Sequence, residues 1–283
     1  MAMLGLGERG IRLLEAFRAL GDVEVAAGYS RTQQEGRALK AELNLPVYAD
    51  WHDMLMSVRP DAVVVAVPPS VLHDVAVKAF KLAPTFYLAP PPTMKHTAGL
   101  RLIDLAKTTG VRAYVGQWEQ HAENTAAVLD LLREGKGETV VQAGAALGAL
   151  AALGPAEARR SLFPVITTTL NIIYAAGYRV KFGGGEMVEG ELRLRFYSEE
   201  RGAFTLALAE KFETSAFVLH KGEKNESIAE SRQALQRDAL NFTRFVKGEA
   251  APALTLEQAV ELLVPAEKAV EEAVKLLKER KVG

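Results

Sequence analysis

Apolar and polar positions alternate in blocks along the first part of the chain, and the blocks predict a repeating order of strand and helix. Met1 to Leu4 is a short apolar strand. A glycine loop follows and opens an amphipathic helix, Ile11 to Leu20, with Leu13, Phe17 and Leu20 on one face at i, i+4 and i+7. Val23 to Gly28 predicts a second strand, a polar stretch from about Gln33 to Leu43 a helix, and Pro46 to Tyr48 a short strand. Asp61 to Val67 is valine-rich and does not alternate, which means burial on both faces, as in the middle of a parallel sheet. Helix Val71 to Leu82, strand Thr85 to Leu88, helix Ala98 to Thr109 and strand Val111 to Val115 continue the order. Such unbroken alternation specifies a doubly wound α/β sheet, which closes near Gly116.

The pattern then changes. Glu123 to Glu134 predicts a helix and Thr139 to Ala143 a strand, and the small-residue stretch Gly144 to Gly154 reads as a strand end and flexible connection. Glu191 to Tyr197 and Ala203 to Glu210 alternate and form a hairpin through Ser198 to Gly202, and Ser215 to His220 adds a strand. Two helices, about Arg237 to Lys247 and Leu256 to Arg280, are split by Gly248 to Pro252. This half is α+β with an open mixed or antiparallel sheet. The 283 residues are therefore expected to form two domains, 1–118 and 119–283.

Composition narrows the functions open to the chain. Hydrophobic residues are 49% and charged residues 24%, which suits a folded domain with a sizeable core. Lys plus Arg number 34 against 35 Asp plus Glu, so no basic field exists to attract nucleic acid or anionic lipid, and neither partner is expected. Cysteine is absent, which excludes disulfides, thiolate metal sites and a cysteine nucleophile. His96, His121 and His220 are far apart without ligand spacing, so no metal site is expected. No run approaches the ~20 apolar residues of a membrane span, and Met1 to Leu4 enters the glycine loop too soon for a signal peptide; a cytoplasmic location is expected.

The loop Gly5-Leu6-Gly7-Glu8-Arg9-Gly10 carries the clearest chemistry. Its glycines suit a tight turn, close approach of backbone to a pyrophosphate, and close packing of helix on strand. The amide groups and dipole at the helix start, with Glu8 and Arg9 in the first turn, would hold the phosphates. After the second strand comes Gly28-Tyr29-Ser30-Arg31-Thr32, without the acid that binds ribose hydroxyls for NAD. Ser30, Arg31 and Thr32 can all donate to a 2′-phosphate, which favours NADP, with NAD possible if Arg31 is only a solvated turn residue.

These residues, together with Ala66-Val67-Pro68-Pro69, the His73 that follows, Gly135-Lys136-Gly137, and the run from Phe242 through Pro252 into Leu256, resemble the Gfo/Idh/MocA family of oxidoreductases. The resemblance implies a Rossmann domain followed by a domain whose open sheet supports the substrate and a homo-oligomer. It also implies that Pro68, Pro69 and His73 line the nicotinamide end of the cofactor site. Hydride would pass to or from a small molecule, commonly a sugar or cyclitol.

The departures from the family pattern are equally informative. The family's E-K-P motif falls on Ala89-Pro90-Pro91, and proline has no titratable group to replace the Lys. Its Asp and His pair falls on Phe163 to Asn171, where Thr167, Thr168 and Thr169 stand instead. Its Arg after the sixth strand falls on Gln120, beside His121. Lys95, His121 and Thr168 are the candidate catalytic replacements; Arg159 and Arg160 could bind an anion or simply be solvated. Two functions follow: an oxidoreductase acting on a sugar-like or conjugated substrate, or a cofactor-binding pseudoenzyme serving as sensor or scaffold. The second domain is read as shorter than the family's, which suits the latter.

Overall fold

The computed structural model describes residues 1–31, 41–134, 138–144, 147–209 and 216–279. The chain divides into two compact units, and the division is not a single cut. The first unit holds Met1–Trp118 and Arg232–Glu261; the second holds Glu119–Ser231 and Leu262–Gly283.

The first unit is built on six parallel strands, β1 (Ala2–Leu4), β2 (Ala27–Tyr29), β3 (Val47–Tyr48), β4 (Val63–Val65), β5 (Thr85–Leu88) and β6 (Arg112–Val115). Their order is β3-β2-β1-β4-β5-β6, so the winding reverses between β1 and β4. Val63, Val64 and Val65 are wholly buried, as expected of a strand covered on both faces. Helix α1 (Glu8–Arg18) buries Leu13, Leu14 and Phe17. The sequence pattern missed α2 (Trp51–Val58), although Asp50 caps it by accepting from the N–H groups of His52 at 2.7 Å and Asp53 at 3.0 Å. Helices α3 (Pro69–Ala79) and α4 (His96–Thr109) follow, and α4 stops where Gly110 turns left-handed at φ 70°. The helix expected from Gln33 falls largely outside the described residues.

The second unit opens with α5 (Thr125–Arg133) and β7 (Thr139–Gly144). Where a flexible connection was expected, Leu147–Ala152 forms a short helix, α6, because leucine and alanine are strong helix formers. Helix α7 (Pro155–Ala175) runs 21 residues with Pro164 inside it. Strands β8 (Lys181–Val188), β9 (Glu191–Ser198), β10 (Gly202–Ala209), β11 (Ala216–Lys221) and β12 (Lys224–Ala229) complete a sheet of order β12-β11-β7-β10-β9-β8. Among the described residues of this sheet, only β7 and β10 pair in parallel, so the sheet is mixed. Two of these strands were not anticipated. Strand β8 contains three glycines, which lowers strand propensity; one of them, Gly183, leaves room for the Tyr197 ring, which a Cβ would overlap. Strand β12 is a polar edge strand, Lys224-Asn-Glu-Ser-Ile-Ala229, of the kind that keeps edges soluble but reads as loop.

Helices α8 (Arg232–Lys247) and α9 (Leu256–Glu261) then return to the first unit, which corrects the expectation that 119–283 forms one domain. The reason is aromatic packing. Phe242 on α8 is fully buried, with ring centroids 5.8 Å from Phe17, 5.4 Å from Tyr87 and 5.5 Å from Tyr114. Leu262 breaks the single terminal helix that was expected, and α10 (Leu263–Glu279) belongs to the second unit, packed on β8 and β9. No helix among the described residues is long and apolar enough to cross a membrane.

Candidate active site

Doubly wound sheets bind nucleotides outside the carboxyl ends of their strands, at the point where the winding reverses. Here β1 runs from Leu4 directly into Gly5, beside the end of β4. Gly5 has φ +102°, and a Cβ there would lie 2.8 Å from the Ala66 carbonyl oxygen. Gly10, in the first turn of α1, could carry a Cβ only by overlapping the carbonyl oxygen of Gly5. Both positions therefore require glycine for packing. Gly7 differs: it is the N-cap of α1, and a Cβ there would meet nothing within 4 Å. Open space at the amino end of a helix is what a pyrophosphate needs, so the loop fits a dinucleotide.

The other expected cofactor residues stand around the same strand ends. Glu8 is exposed in the first turn of α1. Arg9 Nη1 donates to the carbonyl oxygen of Pro90 at 2.8 Å, tying the glycine loop to the segment after β5. Ser30 is buried just past β2, where its N–H donates to Tyr48 O at 3.2 Å, and Arg31 is exposed beside it. Thr32 lies outside the described residues. Pro68 is the N-cap of α3 and Pro69 its first residue, with the Pro68 carbonyl accepting from the N–H groups of Val71 and Leu72. His73 lies inside α3. Its Nδ1 lies 3.0 Å from Asp74 Oδ1, while its Nε2 is buried with no hydrogen-bond partner among the described residues. A buried ring nitrogen left so costs free energy that a ligand atom could relieve.

After β5, Ala89 to Thr93 are buried and the Pro90–Pro91 peptide is cis. Lys95 is the N-cap of α4 and its side chain is exposed; its N–H donates to Thr93 Oγ1 at 3.3 Å. After β6 lies a polar cluster that the sequence pattern did not single out. Asp238 of α8, fully buried, accepts from Tyr87 OH at 2.7 Å, Tyr114 OH at 2.6 Å and the Gln117 N–H at 3.0 Å. Burial foremost, then the Asp238 charge and hydrogen bond, push the Tyr87 hydroxyl well above its usual pKa, while Arg9 acts the other way. Gly116 bears no side chain because a Cβ would overlap the Tyr87 hydroxyl. A signal for Asp238 was present: it is an acid among Leu235, Ala239 and Phe242 on the apolar face of a helix.

In the second unit, the threonine run lies in the middle of α7 rather than at a helix start. Thr167 Oγ1 donates to Phe163 O at 2.9 Å and Thr169 Oγ1 to Val165 O at 3.0 Å, so both hydroxyl protons stay within the helix. Thr168 between them is half-buried, as is His121. Asn171, one turn on, donates to Glu119 Oε1 at 3.4 Å, and both residues are buried. Arg159 lies 3.8 Å from Glu271 and Arg160 Nε bonds the Ala156 carbonyl on its own helix, which makes this pair solvated rather than an anion site. Thus Lys95 belongs to the first unit, and His121 and Thr168 to the second.

The strand order, the glycine loop and the open space at Gly7 define a nucleotide-binding Rossmann unit. Residues 1–117 match the GFO_IDH_MocA family model, described as an oxidoreductase family with NAD-binding Rossmann fold. None of the curated proteins matches the sequence. Over its length the chain shares the fold of myo-inositol 2-dehydrogenase from Lactobacillus plantarum, with TM-score 0.79, 12% identity and 96% of each chain covered. UDP-N-acetylglucosamine 3-dehydrogenase GnnA from Acidithiobacillus ferrooxidans is similar with TM-score 0.76, 14% identity and 98% of each chain. GenD2 from gentamicin A biosynthesis, solved in complex with NAD, gives 0.76 and 13% over 96% of this chain and 93% of that one. The second half is therefore not shortened relative to these proteins, and its length gives no support to a pseudoenzyme.

Proposed function

We propose that the protein is an NADP-preferring oxidoreductase that passes hydride to or from a small organic substrate, sugar-like or conjugated. The observation that carries this reading is the loop geometry: only glycine fits at positions 5 and 10, and Gly7 leaves room at the start of α1. Gly5, Gly7, Glu8, Arg9 and Gly10 would hold the pyrophosphate, Ser30, Arg31 and Thr32 the 2′-phosphate, and Pro68, Pro69 and His73 the nicotinamide end. The bound dinucleotide supplies the hydride chemistry. A conjugated acceptor such as an enone or imine can take its proton from water, so turnover does not need the missing Lys. Lys95, His121 and Thr168 are the side chains proposed to assist.

Calorimetric titration is expected to show NADPH binding more tightly than NADH, and Arg31→Ala to erase about tenfold of that preference, as befits one charge-assisted contact. Equal affinities in the unmodified chain would remove the case for Arg31. Reaction with lactones, ketones, imines and enones is followed as loss of NADPH absorbance. Tight binding without oxidation by any of them would make the protein a cofactor-binding sensor or scaffold.

Copies of the chain are proposed to pair through the face of the second sheet opposite its core. Strand β9 alternates Leu192, Leu194 and Phe196 inward with Arg193, Arg195 and Tyr197 outward, and Tyr197 is 47% exposed. Light scattering should report a dimer, and Tyr197→Glu a monomer; a monomeric unmodified chain would refute the pairing.

A further inference from the structure

Asp238 is more than an anchor for its helix. Apolar packing already holds α8, since Phe242 is fully buried among the rings of Phe17, Tyr87 and Tyr114. A buried carboxylate adds a desolvation cost that another Leu or Phe would not. Three of its partners show what the acid does in addition. Tyr87 and Tyr114 are the third residues of β5 and β6, and the Gln117 N–H lies two residues past the end of β6.

All three stand at the carboxyl ends of the two strands farthest from β3 in the order β3-β2-β1-β4-β5-β6. A doubly wound sheet holds a dinucleotide with one mononucleotide on each side of its switch point. The β1–β3 side, with the glycine loop and Ser30-Arg31, takes the adenosine half, which leaves the β4–β6 side for the nicotinamide. Arg9 supplies a further tie on that side through its bond to the Pro90 carbonyl.

We propose that Asp238 is a positioning residue for the nicotinamide half of the dinucleotide site, acting through Tyr87, Tyr114 and the Gln117 backbone to preform the strand ends on which that half rests. The proposal rests on the dinucleotide-binding function proposed above. Preformed walls spare the ligand the entropy cost of ordering them, so their loss weakens binding of the half they face and leaves the other half unchanged.

Titration of the full-length chain with NADPH and with 2′-phospho-ADP-ribose, which lacks the nicotinamide, separates the halves; NADH and ADP-ribose form the equivalent pair. Asp238→Asn and Tyr114→Phe are each expected to weaken NADPH about tenfold while the fragment stays within about twofold. The emission of the bound dihydronicotinamide should move toward that of the free ring. Equal loss for both ligands, or undiminished NADPH affinity in both variants, overturns the proposal. If the unmodified chain binds neither ligand pair, the dinucleotide reading itself fails, and this one with it. Should Asp238→Asn not be recovered folded, Tyr114→Phe decides alone, because it removes one hydroxyl and keeps the ring stacked on Tyr87.

Discussion

Gly10→Ala will abolish dinucleotide binding and destabilise the first unit, whereas Gly7→Ala will abolish binding and leave stability almost unchanged. The two glycines belong to one loop but do different work. At Gly10 the added carbon would overlap the Gly5 carbonyl oxygen, and because both partners are main chain, α1 must lift from the loop. Overpacking of this kind costs about 1–3 kcal/mol. At Gly7 nothing lies within 4 Å and φ is −71°, which any residue adopts. The loss of a glycine N-cap and the gain from a stiffer unfolded chain nearly offset, so the change should stay within about 1 kcal/mol. The new methyl group would instead occupy the space a phosphate needs. Thermal unfolding and NADPH titration of both variants check the contrast. A Gly7→Ala protein that binds NADPH as tightly as the parent would refute the assignment of that space.

Asp238→Leu is expected to lower the stability of the first unit by roughly 3 kcal/mol or more, because three buried neutral donors each lose an acceptor at about 1–3 kcal/mol apiece. Two tyrosine hydroxyls and the Gln117 N–H would be left buried without their acceptor. For a unit of this size the loss corresponds to a fall in midpoint on the order of 10 °C. The double variant Tyr87→Phe with Tyr114→Phe in the Asp238→Leu background should recover part of it, because the stranded hydroxyls are then gone. Independent, additive effects of the three changes would argue that the cluster is not one network.

The parallel sheet was legible because both-face burial leaves an uninterrupted valine run at Val63 to Val65, flanked by helices of regular period. The glycine loop was legible for a similar reason: steric demand at Gly5 and Gly10 admits one residue type. What escaped was whatever depends on a distant partner. Nothing near Arg232 says that α8 packs against Phe17, and Gly183 reads as a strand breaker until the Tyr197 ring is seen beside it. The threonines at 167 and 169 stand where the family keeps its Asp and His pair. Placed inside a helix, they satisfy carbonyls one turn back.

The split of the first unit between Met1–Trp118 and Arg232–Glu261 also constrains how the protein is made. During synthesis the six parallel strands emerge long before α8, and at about 5–20 residues per second the delay is several seconds or more. For that time the faces of Phe17, Tyr87 and Tyr114 lack Phe242, and the tyrosine hydroxyls lack Asp238. The nascent sheet must wait, exposed to chaperones and proteases, until the second unit has been almost wholly translated. A fragment ending at Trp118 would stay in that waiting state.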